Sequence, residues 1–326
     1  MKAVWYEQNG PAEIMQFGEM PDPEPGPGEV RVRVVSSGVN PSDWKRRAGL
    51  TQRITFPRVI PHQDGAGVID RVGPGVPESR VGERVWLFES QFGRPFGSAA
   101  EYTVQPSGHV VQMPDSVTFE QGACLGVPAM TAHRCLFADG PLSGKVVLVP
   151  GGAGAVGHYA VQEAKLSGAT VISTISSEHK AGIARDAGAD HTVNYRTENV
   201  VERVMDITGG EGVDHIVEVD FAANFPVTSE VLKSSGVVAI YAAGTGQQPP
   251  VPLQFRRSNT VARNVLVYDM PEPAKEAAIA DITAWLEAGA LTHLVGPHFP
   301  LEQAVQAHRA VEGNAIGNVI VDVGDG

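Results

Sequence analysis

Three glycines at every third position, Gly151, Gly154 and Gly157, stand where an unbroken apolar run meets a helical pattern. That is the place on this chain best suited to hold a charged ligand. Val146, Val147, Leu148 and Val149 are apolar on both faces, as a parallel strand covered by helices on either side requires. Beyond the turn, Val156, Tyr159, Ala160, Val161, Ala164 and Leu166 fall at helical spacings, and Gly168 ends the run. Glycine allows a sharp bend and a close approach of ligand and helix to the backbone. The free N–H groups and the positive dipole end of the helix then point at the loop, where a pyrophosphate would sit. Gly151, Gly154, Ala155 and Val156 are the main-chain candidates. A strand before the turn and a helix after it form the context that a dinucleotide site needs, and an ordinary glycine-rich turn is the less favoured alternative.

The second strand of this unit selects the dinucleotide. An NAD site usually has an acidic residue at this strand's end, bonded to the ribose 2′-hydroxyl. Here TVISTIS ends in Ser176 and Ser177, and Lys180 follows one helical turn later. Two hydroxyls and an ammonium suit a 2′-phosphate, so NADPH is the expected cofactor. Capping of the following helix by Ser176, with Lys180 simply solvated, is the alternative; Glu178 argues against the phosphate.

The elements around this turn set the architecture. Residues 1 to about 115 are β-rich: MKAVWY, EVRVRVVSSGV, GAGVIDRVG, ERVWLF and AEYTV are separated by Pro and Gly clusters, with no convincing helix between them. A compact barrel-like module is expected. FEQGACLGVPAMTAHRCL turns helical, with Thr131 facing the start of the nucleotide unit. After the glycine turn, strands alternate with helices as far as GVVAIYAAG, which implies an α/β fold with a doubly wound parallel sheet. Ligands bind such sheets at the carboxyl ends of the strands, which places Tyr195, Asp220 and the Tyr241 to Gly244 stretch, Ala243 included, near the cofactor. The tail supplies an amphipathic helix and a last strand expected to rejoin the first module.

Bulk properties exclude several classes. With 326 residues the chain exceeds the roughly 250–300 at which single cores stop growing, so two domains are expected. Twenty-five basic against 37 acidic residues give a formal charge of −12, which argues against a nucleic-acid partner. Cys124 and Cys135 are the only cysteines, too few for a disulfide framework or a four-cysteine zinc lobe, and the expectation is reduced thiols. The N-terminus lacks a signal-peptide core and no run approaches the roughly 18 apolar residues of a membrane span; a cytoplasmic protein with no membrane partner is expected.

GVNPSDW at 38 to 44, QDGAGVI at 63 to 69, GVPAMTAHRCL at 126 to 136, VLVPGGAGAVG at 147 to 157 and FPLEQAVQAH at 299 to 308 together resemble the zinc-independent quinone oxidoreductases of the zeta-crystallin type, in the medium-chain dehydrogenase/reductase superfamily. The likeness runs from MKAVWY to the last strand. It implies a Rossmann domain, residues 120–263, inserted in a GroES-like catalytic domain, residues 1–119 and 264–326. It also implies a homodimer and a place for Lys180 and Tyr195 near the NADPH phosphate. In the zinc-dependent relatives the metal is held at the positions of Asn40, Gln63 and Val127, none of which offers the thiolate or imidazole that zinc prefers. His62, one residue away, is read as a loop histidine. Asn40 is the candidate donor to a developing oxyanion, with fixing of the turn into Pro41 as the equal alternative. Many family members carry a tyrosine where this chain has Lys45, a change that points towards an acidic substrate. Lys45, Arg46, Arg47, Arg53 and Arg58 form a basic run that either lines the site or is solvated, and Phe88, Phe92 and Phe96 either wall it or join the core.

The expected activity is NADPH-dependent reduction of a small quinone or enone. An enoyl or alkenal double-bond reductase and a non-catalytic NADPH-binding redox sensor are the alternatives.

Overall fold

The computed structural model describes residues 1–242 and 258–324. Its contacts separate two compact units, one made of Met1–Val127 with Asp281–Gly326 and the other of Pro128–Ala280.

In the second unit the described residues form a six-stranded sheet in the order His191–Asn194, Thr170–Ile175, Val146–Pro150, Val213–Glu218, Leu232–Ile240, Val261–Asn264. Every neighbouring pair is parallel. Numbered along the chain this is 3-2-1-4-5-6, so the order reverses beside Val146–Pro150, where a Rossmann-type sheet opens to a ligand. Val-rich runs become interior strands here because helices Ala155–Leu166, Glu178–Asp186, Val200–Ile207 and Phe221–Val231 return the chain each time to the same end of the sheet. Leu148, Ile172, Val193, Ile216 and Val238 pack with Val204 and Phe225 in its core. Strand Leu232–Ile240 begins ahead of the apolar run expected from Gly236, directly on the end of the preceding helix. Leu232 already pairs with Val213, and a shift of register lets the apolar part pair from Val237.

The first unit is built on Glu29–Val39, a strand long enough to serve three partners. One edge pairs with Asp64–Val72; the other is shared by Tyr102–Pro106 and, further along, by Asn318–Asp322. All three are antiparallel, and the chain's tail thus rejoins its first module as a strand of the same sheet. The FEQGAC…HRCL stretch is two helices, Phe119–Gly122 and Gly126–Phe137. One element escapes the pattern of alternating apolar runs, a helix over Pro41–Arg47. Seven residues are too few to show helical periodicity, but its start carries the local signals, Pro at the first position and Asp43 at the third. The Asn40 N–H donates to Asp43 Oδ2 at 2.7 Å and the Asp43 N–H to the Asn40 carbonyl at 3.0 Å, which closes the turn. Among the described residues no helix is long and apolar enough to cross a membrane.

Candidate functional site

Two clusters carry chemistry, one in each unit. The first is made of backbone. Gly151 has φ +74°, and its N–H donates to the Thr174 carbonyl at 3.0 Å, which ties the turn to the neighbouring strand. A Cβ on Gly157 would lie 2.3 Å from the Gly151 carbonyl oxygen, so the helix packs against the turn only with glycine there. Gly154 is the N-cap of Ala155–Leu166 and supplies no side-chain acceptor. The first N–H groups of that helix, on Ala155 and Val156, are therefore left for an anion, and the exposed Gly154 leaves the approach open.

Beside it, Thr170–Ile175 runs into Ser176 and Ser177. The helix cap falls on Ser177, whose Oγ accepts the Lys180 N–H at 3.4 Å, and not on Ser176. Ser176 and Lys180 are half-buried. The Glu178 carboxylate is paired with Arg185. Tyr195, 53% exposed, follows the next strand over, and its N–H donates to the Ile175 carbonyl at 3.1 Å. Gly151, Ser176 and Tyr195 thus succeed the carboxyl ends of three adjacent strands. Thr131 is buried in Gly126–Phe137. Asp220 serves as a helix cap, accepting the Ala223 N–H at 3.2 Å. Ala243 lies outside the described residues.

The second cluster surrounds Asp64, which is fully buried at the start of its strand. Asn40 Nδ2 donates to Asp64 Oδ2 at 2.7 Å, and the Val127 N–H donates to both carboxylate oxygens at 2.9 Å. Burial pushes the Asp64 carboxyl well up from its usual range, and pushes Asp43 up to about 7. Gly126 must be glycine, since a Cβ would stand 2.2 Å from Asp64 Oδ1. Asn40 and Val127, two of the three positions that hold zinc in relatives, therefore meet on one carboxyl group. The third, Gln63, accepts the Gln91 N–H at 3.1 Å. Among the described residues no three His, Cys, Asp or Glu side chains converge as a metal site would require. Lys45 is half-buried, with Nζ 5.9 Å from the centre of the Trp44 ring.

His62 does lie in a loop, just ahead of strand Asp64–Val72, but it is not a solvated residue. It is fully buried at φ +78°, with Nδ1 2.8 Å from Ser37 Oγ and Nε2 3.0 Å from His308 Nε2. Arg47 Nε donates to His308 Nδ1 at 3.3 Å, Ser37 Oγ lies 2.8 Å from Ser98 Oγ, and Ser98 Oγ donates to the Asp64 carbonyl at 2.5 Å. A guanidinium only donates, so the direction of the whole chain is set. His308 carries its hydrogen on Nε2 and His62 on Nδ1, and the sequence of donors ends at Asp64. Arg47, also fully buried, is paired with Glu312 and donates to the Gly10 carbonyl at 2.7 Å. His308 was missed although a signal existed, for it shares the buried face of its helix with Ala304 and Ala307. The rest of the basic run divides. Arg58 pairs with Glu7, and Arg46 lies over the Phe92 ring at 5.4 Å. Phe88 joins the core beside Trp86 and His109, whereas Phe92 and Phe96 stay over a third exposed.

Comparison with known proteins bears on both clusters. Residues 26–115 match the alcohol dehydrogenase GroES-like domain and residues 155–284 the zinc-binding dehydrogenase family. A 2-haloacrylate reductase from Burkholderia sp is 31% identical over 332 residues, 98% of each chain. A quinone oxidoreductase from Pseudomonas aeruginosa is 30% identical over 312 residues, 94% of each. Among solved structures, an NAD-dependent alcohol dehydrogenase superposes with TM-score 0.90 at 30% identity, covering 99% of this chain and 100% of that one. A mycobacterial protein complexed with NADPH gives 0.87 at 29%, covering 98% and 99%. A GroES-like unit combined with a Rossmann-type unit is the plan of the medium-chain dehydrogenase/reductase oxidoreductases. The chain belongs to the quinone oxidoreductase family of that superfamily.

The histidine pair makes a prediction about pH. Burial pushes His62 down to about 3 and His308 well below its ordinary value, so both are neutral in the folded chain. The unfolded chain takes up protons below about pH 6.5, and the stability these groups contribute is full above that pH and lost as pH falls towards 3. Asp43 and Asp64, raised in the folded state, act with the opposite sign but are common to any pair of variants that differ only at His308. Denaturant unfolding of the parent and of His308→Gln should give a stability gap that shrinks, by up to about 1.4 kcal/mol per pH unit, between pH 6 and pH 4.5. A gap independent of pH would show that His308 protonates in the folded protein without penalty.

Proposed function

We propose that this chain is a zinc-independent, NADPH-dependent reductase of quinones or related activated carbonyl acceptors, acting as a cytoplasmic homodimer. The observation that carries the reading is the uncapped helix start at Gly154, beside the reversal of strand order, with the positive φ at Gly151 and the close approach at Gly157 that glycine permits. Likeness to the quinone oxidoreductase and to the NADPH-bound mycobacterial protein supports the cofactor and acceptor. The Rossmann-type unit, which the sequence reading bounds at 120–263 and the contacts at Pro128–Ala280, serves as the cofactor domain, and the remainder as the catalytic domain.

NADPH, when bound, supplies a hydride, and the acceptor takes one proton from solvent to complete its reduction to the hydroquinone. The chain's own groups bind and orient. The N–H groups of Ala155 and Val156 receive the pyrophosphate, and Ser176, Ser177 and Lys180 receive the 2′-phosphate, with Thr131 and Tyr195 around the cofactor. Asn40 keeps one amide N–H on Asp64 and donates the other to the acceptor oxygen as charge develops there. Lys45 adds positive charge on the same short helix. The donor set favours chemistry without zinc. Asn40 Nδ2 is a donor with no lone pair to give, Val127 has no ligating side chain, and the Gln63 amide is held by Gln91.

Turnover of a quinone panel, with NADPH oxidation followed optically, tests the reading as a whole. Lys180→Ala should weaken NADPH roughly 10- to 100-fold and leave NADH nearly unchanged, the loss expected of one charge-assisted contact; equal affinity of the parent for the two cofactors removes the argument. Asn40→Ala should lower kcat roughly 10- to 1,000-fold while NADPH affinity changes little, and an unchanged kcat would leave Asn40 a purely structural residue. Chelation should leave activity intact; stoichiometric zinc whose removal abolishes turnover and whose return restores it would overturn the zinc-free assignment.

A further inference from the structure

The first unit contains a cavity of ≈ 200 Å³ walled by the end of helix Pro41–Arg47, the loop from Gln52 to Phe56, and the segment at Gln91 to Gly93. Its position is fixed by built contacts. Asn9 Nδ2 donates to the Arg46 and Arg47 carbonyls at 2.9 and 3.2 Å, and Asn9 Oδ1 accepts the Ile54 N–H at 2.8 Å, so one side chain pins the loop to the helix end. Arg46 is held in the wall by Gln91 Oε1, 2.8 Å from its guanidinium, and by the Phe92 ring. Gln91 is 5% exposed and also bonds Gln63, the neighbour of Asp64.

The chemistry of the lining is one-sided. Arg46 and Arg53 are among the residues that line this space, and no Asp or Glu is. Among the described residues Arg53 has no ion pair, hydrogen bond or ring contact of its own. Gln52 and Tyr6 add polar groups, while Ile54 and Val59 supply an apolar wall. In a chain of net charge −12, two arginines that line one cavity with no acid in its lining favour an anion. A planar, bidentate acceptor such as a carboxylate matches the guanidinium fork better than a point charge does. The volume is below the roughly 300–1,000 Å³ of sites for drug-sized ligands, so it takes a small acid or the acidic end of a larger molecule. Arg46 stands six residues beyond Asn40, the N-cap of its helix, about 9 Å along the axis.

We propose that this cavity is a carboxylate subsite for the acceptor, with Arg46 and Arg53 as its specificity-determining residues, and that the acceptor is a small unsaturated acid. This deepens the reductase reading given above and rests on it for the reaction. It does not rest on it for binding, because every residue named lies in the first unit. The Burkholderia relative, whose name states an acidic acceptor, is similar over 98% of the chain.

The test uses the full chain with 2-chloroacrylate and its methyl ester as calorimetric probes, and benzoquinone with NADPH as a separate turnover assay. The acid should bind at least tenfold more tightly than the ester. Arg53→Glu, on an exposed loop residue, should weaken the acid 10- to 100-fold and leave the ester within twofold, and Arg53→Lys should restore part of the loss. Arg46→Gln should act in the same direction. Equal binding of acid and ester, or an acid affinity indifferent to Arg53→Glu, overturns the subsite. Acid binding that responds to Arg53, with neither 2-chloroacrylate nor benzoquinone oxidising NADPH, supports the subsite and sinks the reductase reading; NADPH-dependent turnover of benzoquinone without acid binding does the reverse.

Discussion

A hydrogen bond between two buried imidazoles, His62 and His308, joins residues 246 positions apart and closes the first unit from both ends of the chain. Both rings are fully buried, so each nitrogen needs a partner inside, and an unpaired one would cost about 1–3 kcal/mol. The solution is a line of donors that starts at Arg47, passes through both histidines, Ser37 and Ser98, and ends on the Asp64 carbonyl. Because its first member cannot accept, every proton in the line has one place to be. The left-handed backbone of His62 belongs to the same arrangement, and Gly97 makes room for it, since a Cβ there would fall 2.2 Å from the His62 carbonyl oxygen.

Around this line the remaining constraints take their positions. Asp64 faces Asn40 and Val127 with its side chain and receives Ser98 with its carbonyl, so one residue links the polar core to the positions where relatives hold a metal. The Pro41–Arg47 helix has a buried residue at each end of this system, Asp43 near its start and Arg47 at its finish, and between them it turns Lys45 and Arg46 towards less buried surroundings. A seven-residue helix is not stable by propensity alone. This one is held by its Asn40 and Asp43 closure and by Arg47, paired with Glu312 and bonded to the Gly10 carbonyl.

The two clusters work by different physics. The glycine turn offers backbone N–H groups and a helix dipole, which need only a sharp bend and the absence of Cβ atoms, and which recognise phosphate whatever else the molecule carries. The Asp64 cluster and the arginine cavity are made of side chains, whose chemistry changes with each substitution. A quinone oxidoreductase and a 2-haloacrylate reductase, each about equally similar to this chain, share the scaffold while differing in the acceptor their names state. Acceptor choice is accordingly sought in residues such as Asn40, Lys45, Arg46 and Arg53 and not in the fold.

The sequence by itself determined the parallel sheet and its glycine turn, because both are written in short-range pattern: four consecutive apolar residues, three glycines at fixed spacing, and strands and helices that alternate within a few turns of one another. It also located Ser176, Ser177 and Lys180, since a strand end and the start of the next helix are adjacent along the chain. The alternative of a cap on Ser176 falls one residue early, since the cap is Ser177 and either hydroxyl satisfies the local rule. The helix at Pro41 lacked the length to show a period. What only the tertiary structure decided is the meaning of isolated polar residues. His62 looked like any loop histidine, Arg46, Arg47 and Arg58 belonged to one undivided basic run, and Asn40 had no visible partner. Their roles depend on contacts with His308, Glu312, Gln91, Glu7 and Asp64, between 24 and 265 positions away. A buried polar group is defined by the partner that satisfies it, and a partner so far along the chain leaves no trace in the residues beside it.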